Sequence, residues 1–239
     1  MKSFLVRFRL FYFSFSVAVV FLLFSVIGWT TKHNVDLGEF IKEITVINVK
    51  DNQTQSAIWL PFEFNAGVIG GDVHPHTKNF GAEVKTQTDI SSLKSYLIFM
   101  VQCSIDRGGR QTYASWSQIQ NRAFLKGSSS ARLKPLAMVP VELSQKLEAI
   151  RTAMTDNEDS AVNMHMLIFD FNDPNGKALV DTTKRDKLAL TLEASGSFSR
   201  AEFTWHTPFD AVTDAGSCLK CGEKIKAMWH FCPWCGNKL

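Results

Sequence analysis

Four of the five cysteines in this chain lie within its last 22 residues, in two pairs of the form Cys-x2-Cys, each followed by glycine. Two cysteines at this spacing point at one ion when the chain turns tightly between them, and the glycine accepts the left-handed backbone that completes the turn. A tetrahedral zinc site needs four thiolates at about 2.3 Å. The pattern therefore predicts one Zn²⁺ site with four ligands: Cys218, Cys221, Cys232 and Cys235.

The unit that carries these cysteines, residues 216–239, is too short to bury a sufficient core, so metal binding must supply its folding energy. It resembles the short zinc-ribbon family found at the ends of many prokaryotic proteins. The matching residues are Cys218, Cys221, Gly222, Cys232, Pro233, Cys235 and Gly236. The resemblance implies an interaction or nucleic-acid-contacting module. It covers residues 216–239 alone, and no family is recognised for the rest of the chain.

Two other chemistries remain open for the same cysteines. An oxidising compartment would favour a pair of disulfides. A single Cys-x-x-Cys can also be a redox couple, although such pairs usually begin a helix within a βαβ unit, which this sequence does not show. Zinc ranks first among the three, and a site closed by four thiolates leaves no position for a substrate.

An apolar run of 20 residues, 10–29, lies near the amino terminus, and no charged residue occurs between Arg9 and Lys32. As a helix it would be roughly 30 Å long, the thickness of a bilayer core. Basic residues precede the run, whereas acidic residues offset the lysines after it, which places the amino terminus in the cytoplasm. The sequence thus predicts a single-pass membrane protein whose body lies on the periplasmic or extracytoplasmic side.

A cleaved signal peptide is the main alternative, because Val26 and Gly28 are small enough to precede a cut at Trp29. A buried helix of a soluble core is a third interpretation. Both leading interpretations send the body across a membrane. Thiolate zinc sites are commonest in reducing compartments. The predicted extracytoplasmic location of the body is therefore in conflict with the predicted zinc site.

Strand patterns dominate the body. Apolar runs and alternations rich in β-branched and aromatic residues predict strands over 43–50, 58–64, 96–105, 111–115, 164–171, 187–194 and 198–205. Apolar spacing predicts one clear helix, 141–155, and a shorter one within 115–126. Two Leu-Ile-Phe segments, 97–99 and 167–169, each precede a turn, which suggests either matching hairpins or chance.

This pattern is typical of a mainly β body, either a sandwich or a mixed β domain with one helix. The predicted domains are a cytoplasmic tip and anchor (1–31), a β-rich body (32–209), a linker (210–215) and a zinc ribbon (216–239).

The charge of the body is uneven. Residues 107–141 contain six basic and no acidic side chains, with aromatic residues between them. Such a stretch can hold single-stranded nucleic acid, lipid headgroups or an acidic partner. A solvated face explains it more simply, and the net charge of +3 does not by itself imply a polyanionic partner.

Other candidate sites are weaker. His74 and His76 have a metal-ligand spacing but no identifiable third ligand. The Asp and Asn residues of 170–175 resemble a calcium loop without its final glutamate, and turn chemistry explains them. Cys103 lies in an apolar strand, which favours a core residue over a nucleophile. The sequence shows no Ser-His-Asp motif, phosphate loop or dinucleotide fingerprint.

Together these features predict a non-catalytic accessory or scaffold subunit rather than an enzyme. The apolar helix would tether the chain to the lipid bilayer, and the body would contact other protein subunits, membrane proteins among them. The ribbon would add a rigid contact surface through Trp229, Phe231 and Trp234, because three large aromatic side chains cannot all be buried in so small a unit. The alternatives are a membrane-tethered nucleic-acid-binding protein and a thiol-disulfide redox protein.

Overall fold

The computed structural model describes residues 37–65, 91–128, 131–154, 163–213 and 216–239. The apolar run at 10–29 and the pair His74 and His76 lie outside these ranges, so the anchor and the histidine site stay predictions. Among the described residues, no helix has both the length and the hydropathy that crossing a bilayer requires.

Two antiparallel sheets form the body. The five-stranded sheet contains β1 (Thr45–Lys50), β2 (Gln53–Leu60), β3 (Tyr96–Asp106), β4 (Gln111–Tyr113) and β7 (His165–Asp170). The four-stranded sheet contains β5 (Ala123–Lys126), β6 (Arg132–Leu133), β8 (Asp186–Leu192) and β9 (Ala201–Thr207), in the order β6-β5-β8-β9. The predicted mainly β fold class is confirmed.

Strand β3 is the centre of the five-stranded sheet because its 11 residues provide room for three neighbours. It pairs with β2 along one edge, and with both β7 and β4 along the other. The two Leu-Ile-Phe segments pair with each other, Leu97 opposite Phe169 and Phe99 opposite Leu167. Their similarity therefore reflects two buried strands that lie side by side.

Aromatic side chains from both sheets meet in the core. The rings of Trp59 on β2 and Trp205 on β9 have centroids 6.1 Å apart, and Phe99 on β3 lies 5.2 Å from Trp205. The indole N–H of Trp205 donates to the Ile44 carbonyl at 2.7 Å, so this buried polar atom has a partner. These contacts join the two sheets into one core.

Helix α1 (Leu37–Ile44) is an element that the sequence analysis does not predict. Phe40 and Ile44 are buried, and Phe40 packs 5.4 Å from the ring of Phe209. The Glu43 carboxylate accepts the Ala211 N–H at 3.3 Å, and burial raises its pKa. The four-residue spacing of Phe40 and Ile44 is typical of a helix. The strand predicted over 43–50 overlaps the end of this helix, so the spacing was not interpreted as helical.

Several predicted elements have different bounds. The strand predicted over 58–64 is β2, which ends before Pro61 because proline has no N–H for the ladder. The helix predicted within 115–126 is α2 (Trp116–Arg122), followed directly by β5. Ser115 starts α2 with a capping box to Gln118. The clear helix is α3 (Val141–Met154), as predicted.

Cys103 is buried in the core, as predicted, beside a polar group that the sequence does not indicate. The Nη2 atom of Arg122 lies 3.5 Å from the sulfur of Cys103, and it also donates to the side-chain oxygen of Gln55. Burial raises the pKa of Cys103 to about 11, although the Arg122 charge opposes the shift. The thiol therefore stays protonated near neutral pH, which does not suit a nucleophile.

Candidate metal centre

The ribbon, residues 216–239, consists of two copies of one turn. In each copy the glycine N–H donates to the carbonyl of the first cysteine, Gly222 to Cys218 and Gly236 to Cys232, both at 2.8 Å. The φ angles of Gly222 and Gly236 are 77° and 68°, in the left-handed region that such turns require. The two Cys-x2-Cys-Gly motifs thus have the same local structure.

The repeat extends beyond the motifs that the sequence analysis identified. Matching backbone bridges join Ser217 to Lys224 in the first copy and Phe231 to Lys238 in the second. Matching hydrogen bonds also close the two copies, from Ile225 to Gly216 at 3.4 Å and from Leu239 to His230 at 2.9 Å. Each copy is therefore a complete turn, over 216–225 and 230–239.

The four cysteine sulfurs converge on one point. All lie within 4.8 Å of one another, with 3.7 Å between Cys218 and Cys235 and 3.6 Å between Cys221 and Cys232. A tetrahedron with metal–sulfur bonds of about 2.3 Å has edges of about 3.8 Å, whereas a disulfide bond is about 2.05 Å long. The four cysteines could therefore bind a metal ion.

The four thiols lie close enough together to perturb one another's ionisation. The backbone N–H groups of Cys221 and Lys220 lower the pKa of Cys218 to about 6. The Glu223 N–H lowers the pKa of Cys221, but burial and the neighbouring sulfurs outweigh it and raise that pKa to about 12. Thiols this close cannot all ionise beside one another. A divalent cation between them would stabilise all four thiolates, and its binding would release protons.

The three predicted interaction residues lie at or near the ribbon surface. Phe231 is 59% exposed and Trp234 is 56% exposed, while Trp229 is half-buried. The rings of Trp229 and Trp234 pack edge to face, with centroids 5.4 Å apart. Leu219, in the first turn, is also exposed. The ribbon thus presents apolar side chains to solvent, while Cys218 and Cys232 are buried, Cys235 is half-buried and Cys221 is exposed.

Two residues outside the ribbon hold it, one in the body and one at the start of the predicted linker, and no sequence motif marks either of them. Arg185, just before β8, donates from Nε to the Ala227 carbonyl at 3.2 Å and from Nη2 to the Trp229 carbonyl. Its Nη1 lies 2.9 Å from His230 Nδ1. Asp210 accepts the Ala227 N–H at 2.9 Å and pairs with Lys226 at 3.3 Å. We call Arg185 and Asp210 the clamp.

The basic stretch at 107–141 is partly neutralised within the body. Arg122 is buried, and Arg132 pairs with Glu193 at 2.7 Å. Lys134 lies 3.9 Å from the centre of the Phe124 ring. The burial of Arg122 and the pairing of Arg132 reduce the positive charge that the stretch presents to a polyanion, whereas the ring contact leaves the charge of Lys134 in place.

The calcium-like cluster is a turn, as its chemistry predicts. The Asp173 carboxylate accepts the N–H groups of Asn175 at 2.9 Å and Lys177 at 3.0 Å, so it is engaged by its own backbone. Over the residues that the structure describes, the four ribbon cysteines are the one group of three or more side chains placed to share a metal ion.

Comparisons of the chain with family models, curated proteins and solved structures found no match. The case for a metal centre therefore rests on the chemistry of the four cysteines and on the two matching turns.

Proposed function

We propose that this chain is a membrane-anchored, non-catalytic accessory subunit whose zinc ribbon provides a rigid contact surface for another protein subunit. The observation that carries the proposal is the convergence of four cysteine sulfurs in the same short unit that exposes Phe231 and Trp234. Tetrahedral coordination by sulfur alone suits Zn²⁺. Four thiolates also complete the coordination shell, so the metal would have a structural role.

The aromatic side chains support binding to a protein. Exposed tryptophan and phenylalanine are costly to leave in water, and tryptophan is enriched among residues that dominate binding energy. Packing between Trp229 and Trp234 restricts both rings before any partner arrives. A pre-organised surface loses less conformational entropy on binding.

The two alternatives have less support. A nucleic-acid-binding protein needs an accessible cationic surface, but several basic side chains of the 107–141 stretch already have partners inside the body. The redox centre of a thiol-disulfide redox protein is usually a single Cys-x-x-Cys pair. In the ribbon, the sulfurs of both Cys-x-x-Cys pairs lie together in one cluster.

We expect the body to be outside the cytoplasm because of the charge bias around residues 10–29. Protease added to intact spheroplasts should digest the body, while a cytoplasmic marker protein stays intact. A body that becomes sensitive only after the membrane is disrupted would reverse the proposed orientation.

We expect the protein to co-purify with a partner subunit after gentle detergent extraction. Phe231→Ala and Trp234→Ala should each lower the recovered partner about tenfold, because each removes an exposed aromatic contact. Zinc content should not change, since neither residue is a ligand. Met138→Ala is a matched control, because Met138 is an exposed apolar side chain of the body.

Quantitative mass spectrometry of the purified complexes would measure the recovered partner. A protein that elutes alone as a monomer, and whose behaviour does not change in the two aromatic variants, would contradict the subunit proposal.

A further inference from the structure

The two turns of the ribbon do not stabilise each other through backbone hydrogen bonds. Within 216–239, the backbone hydrogen bonds of the first turn join residues of 216–225 to one another. Those of the second turn join residues of 230–239 to one another. Contacts between sulfurs join the two copies, Cys218 with Cys235 and Cys221 with Cys232. The relative position of the two cysteine pairs must therefore depend on the metal and on the segment that connects the turns.

The clamp holds that connecting segment. Its contacts reach Lys226, Ala227, Trp229 and His230, which lie between the first turn and the second or begin the second. Arg185 has three nitrogen atoms engaged at once. The planar guanidinium fixes the directions of all three bonds, which the single ammonium group of a lysine cannot do.

We propose that Arg185 and Asp210 are positioning residues for the metal centre, and that the body thereby sets how long the ribbon retains its metal. Each turn supplies two thiolates, and a stable site needs all four. When the connecting segment is fixed, less conformational freedom is lost on closing the site. By linkage, a bound metal must in turn strengthen the contact between ribbon and body. This inference rests on the proposed zinc binding.

The test measures zinc release from the full-length protein. Purified, zinc-loaded protein is mixed with excess chromogenic chelator, and the rate of colour formation gives the release rate. We expect Arg185→Gln and Asp210→Ala to release zinc about tenfold faster than the parent protein, at the lower end of the effect of residues that support metal ligands. Asp210→Asn keeps an acceptor for the Ala227 N–H, so it should release zinc more slowly than Asp210→Ala.

Two controls separate this role from a general loss of stability. Arg200→Gln removes an exposed arginine that pairs with Glu193 and Glu202 on the body, and its zinc release should match the parent. Amide hydrogen exchange should show faster exchange in 216–239 of Arg185→Gln, with β3 and β8 unchanged. Faster exchange throughout the body would overturn the specific role of Arg185.

The outcomes also separate this inference from the proposed function. If the parent protein binds zinc but Arg185→Gln and Asp210→Ala release it at the parental rate, the clamp proposal is overturned and zinc binding stands. If the reduced parent protein binds no zinc, the metal centre itself is overturned and the clamp proposal falls with it.

Discussion

Cys232→Ser should reduce the zinc content from one ion per chain to nearly none. Cys232 is 1% exposed and its sulfur lies 3.6 Å from that of Cys221, so it is a buried member of the four-cysteine cluster. A serine hydroxyl does not replace a thiolate as a zinc ligand, and the remaining three sulfurs leave the site open. Elemental analysis of reduced, purified protein provides the measurement.

Cys103→Ser is the matched control, since it makes the same atomic change in a cysteine of the β3 core. Its zinc content should equal that of the parent protein. The ribbon cysteines do not belong to the main hydrophobic core, so Cys232→Ser should leave the body folded. Absence of zinc from the reduced parent protein would contradict the zinc site and favour the disulfide alternative.

Trp205→Ala should lower the free energy of unfolding by about 3–5 kcal/mol. Trp205 is 1% exposed and contacts Trp59 and Phe99 of the opposite sheet. The substitution also removes the donor to the Ile44 carbonyl, which would then lack this partner. Urea denaturation, followed by circular dichroism, measures the change.

Trp234→Ala makes the same deletion at an exposed ribbon position, and its effect on body stability should stay within about 0.5 kcal/mol. The contrast between the two tryptophans tests whether the two sheets share one core. A Trp205→Ala protein as stable as Trp234→Ala would contradict that packing.

The convergence of the four cysteines could be predicted because its signal is local. Two Cys-x2-Cys-Gly motifs indicate four converging sulfurs without knowledge of the fold. Strand β3 could be predicted for a similar reason, since a continuous apolar run is typical of a strand buried on both faces. Strand β6 could not, because its two residues are too few for any periodic pattern.

The clamp could not be predicted because its parts meet only in the folded chain. Arg185 lies in a run of four charged residues, 184–187, and Asp210 begins a short 3-10 helix, Asp210–Val212, and neither belongs to a recognisable motif. In sequence they look like any solvated charge. Strand β5 was hidden for a different reason, because its four residues follow α2 directly and continue an apolar pattern that a helix would also explain.

The position of the clamp also has a mechanical consequence. Arg185 directly precedes β8 and Asp210 follows β9 by three residues, and the paired residues Asp186 and Thr207 mark the same end of these neighbouring strands. A pull on the ribbon would therefore load both strands at that end, through the hydrogen bonds of Arg185 and Asp210. In the proposed complex, tension from the partner subunit would pass into the four-stranded sheet.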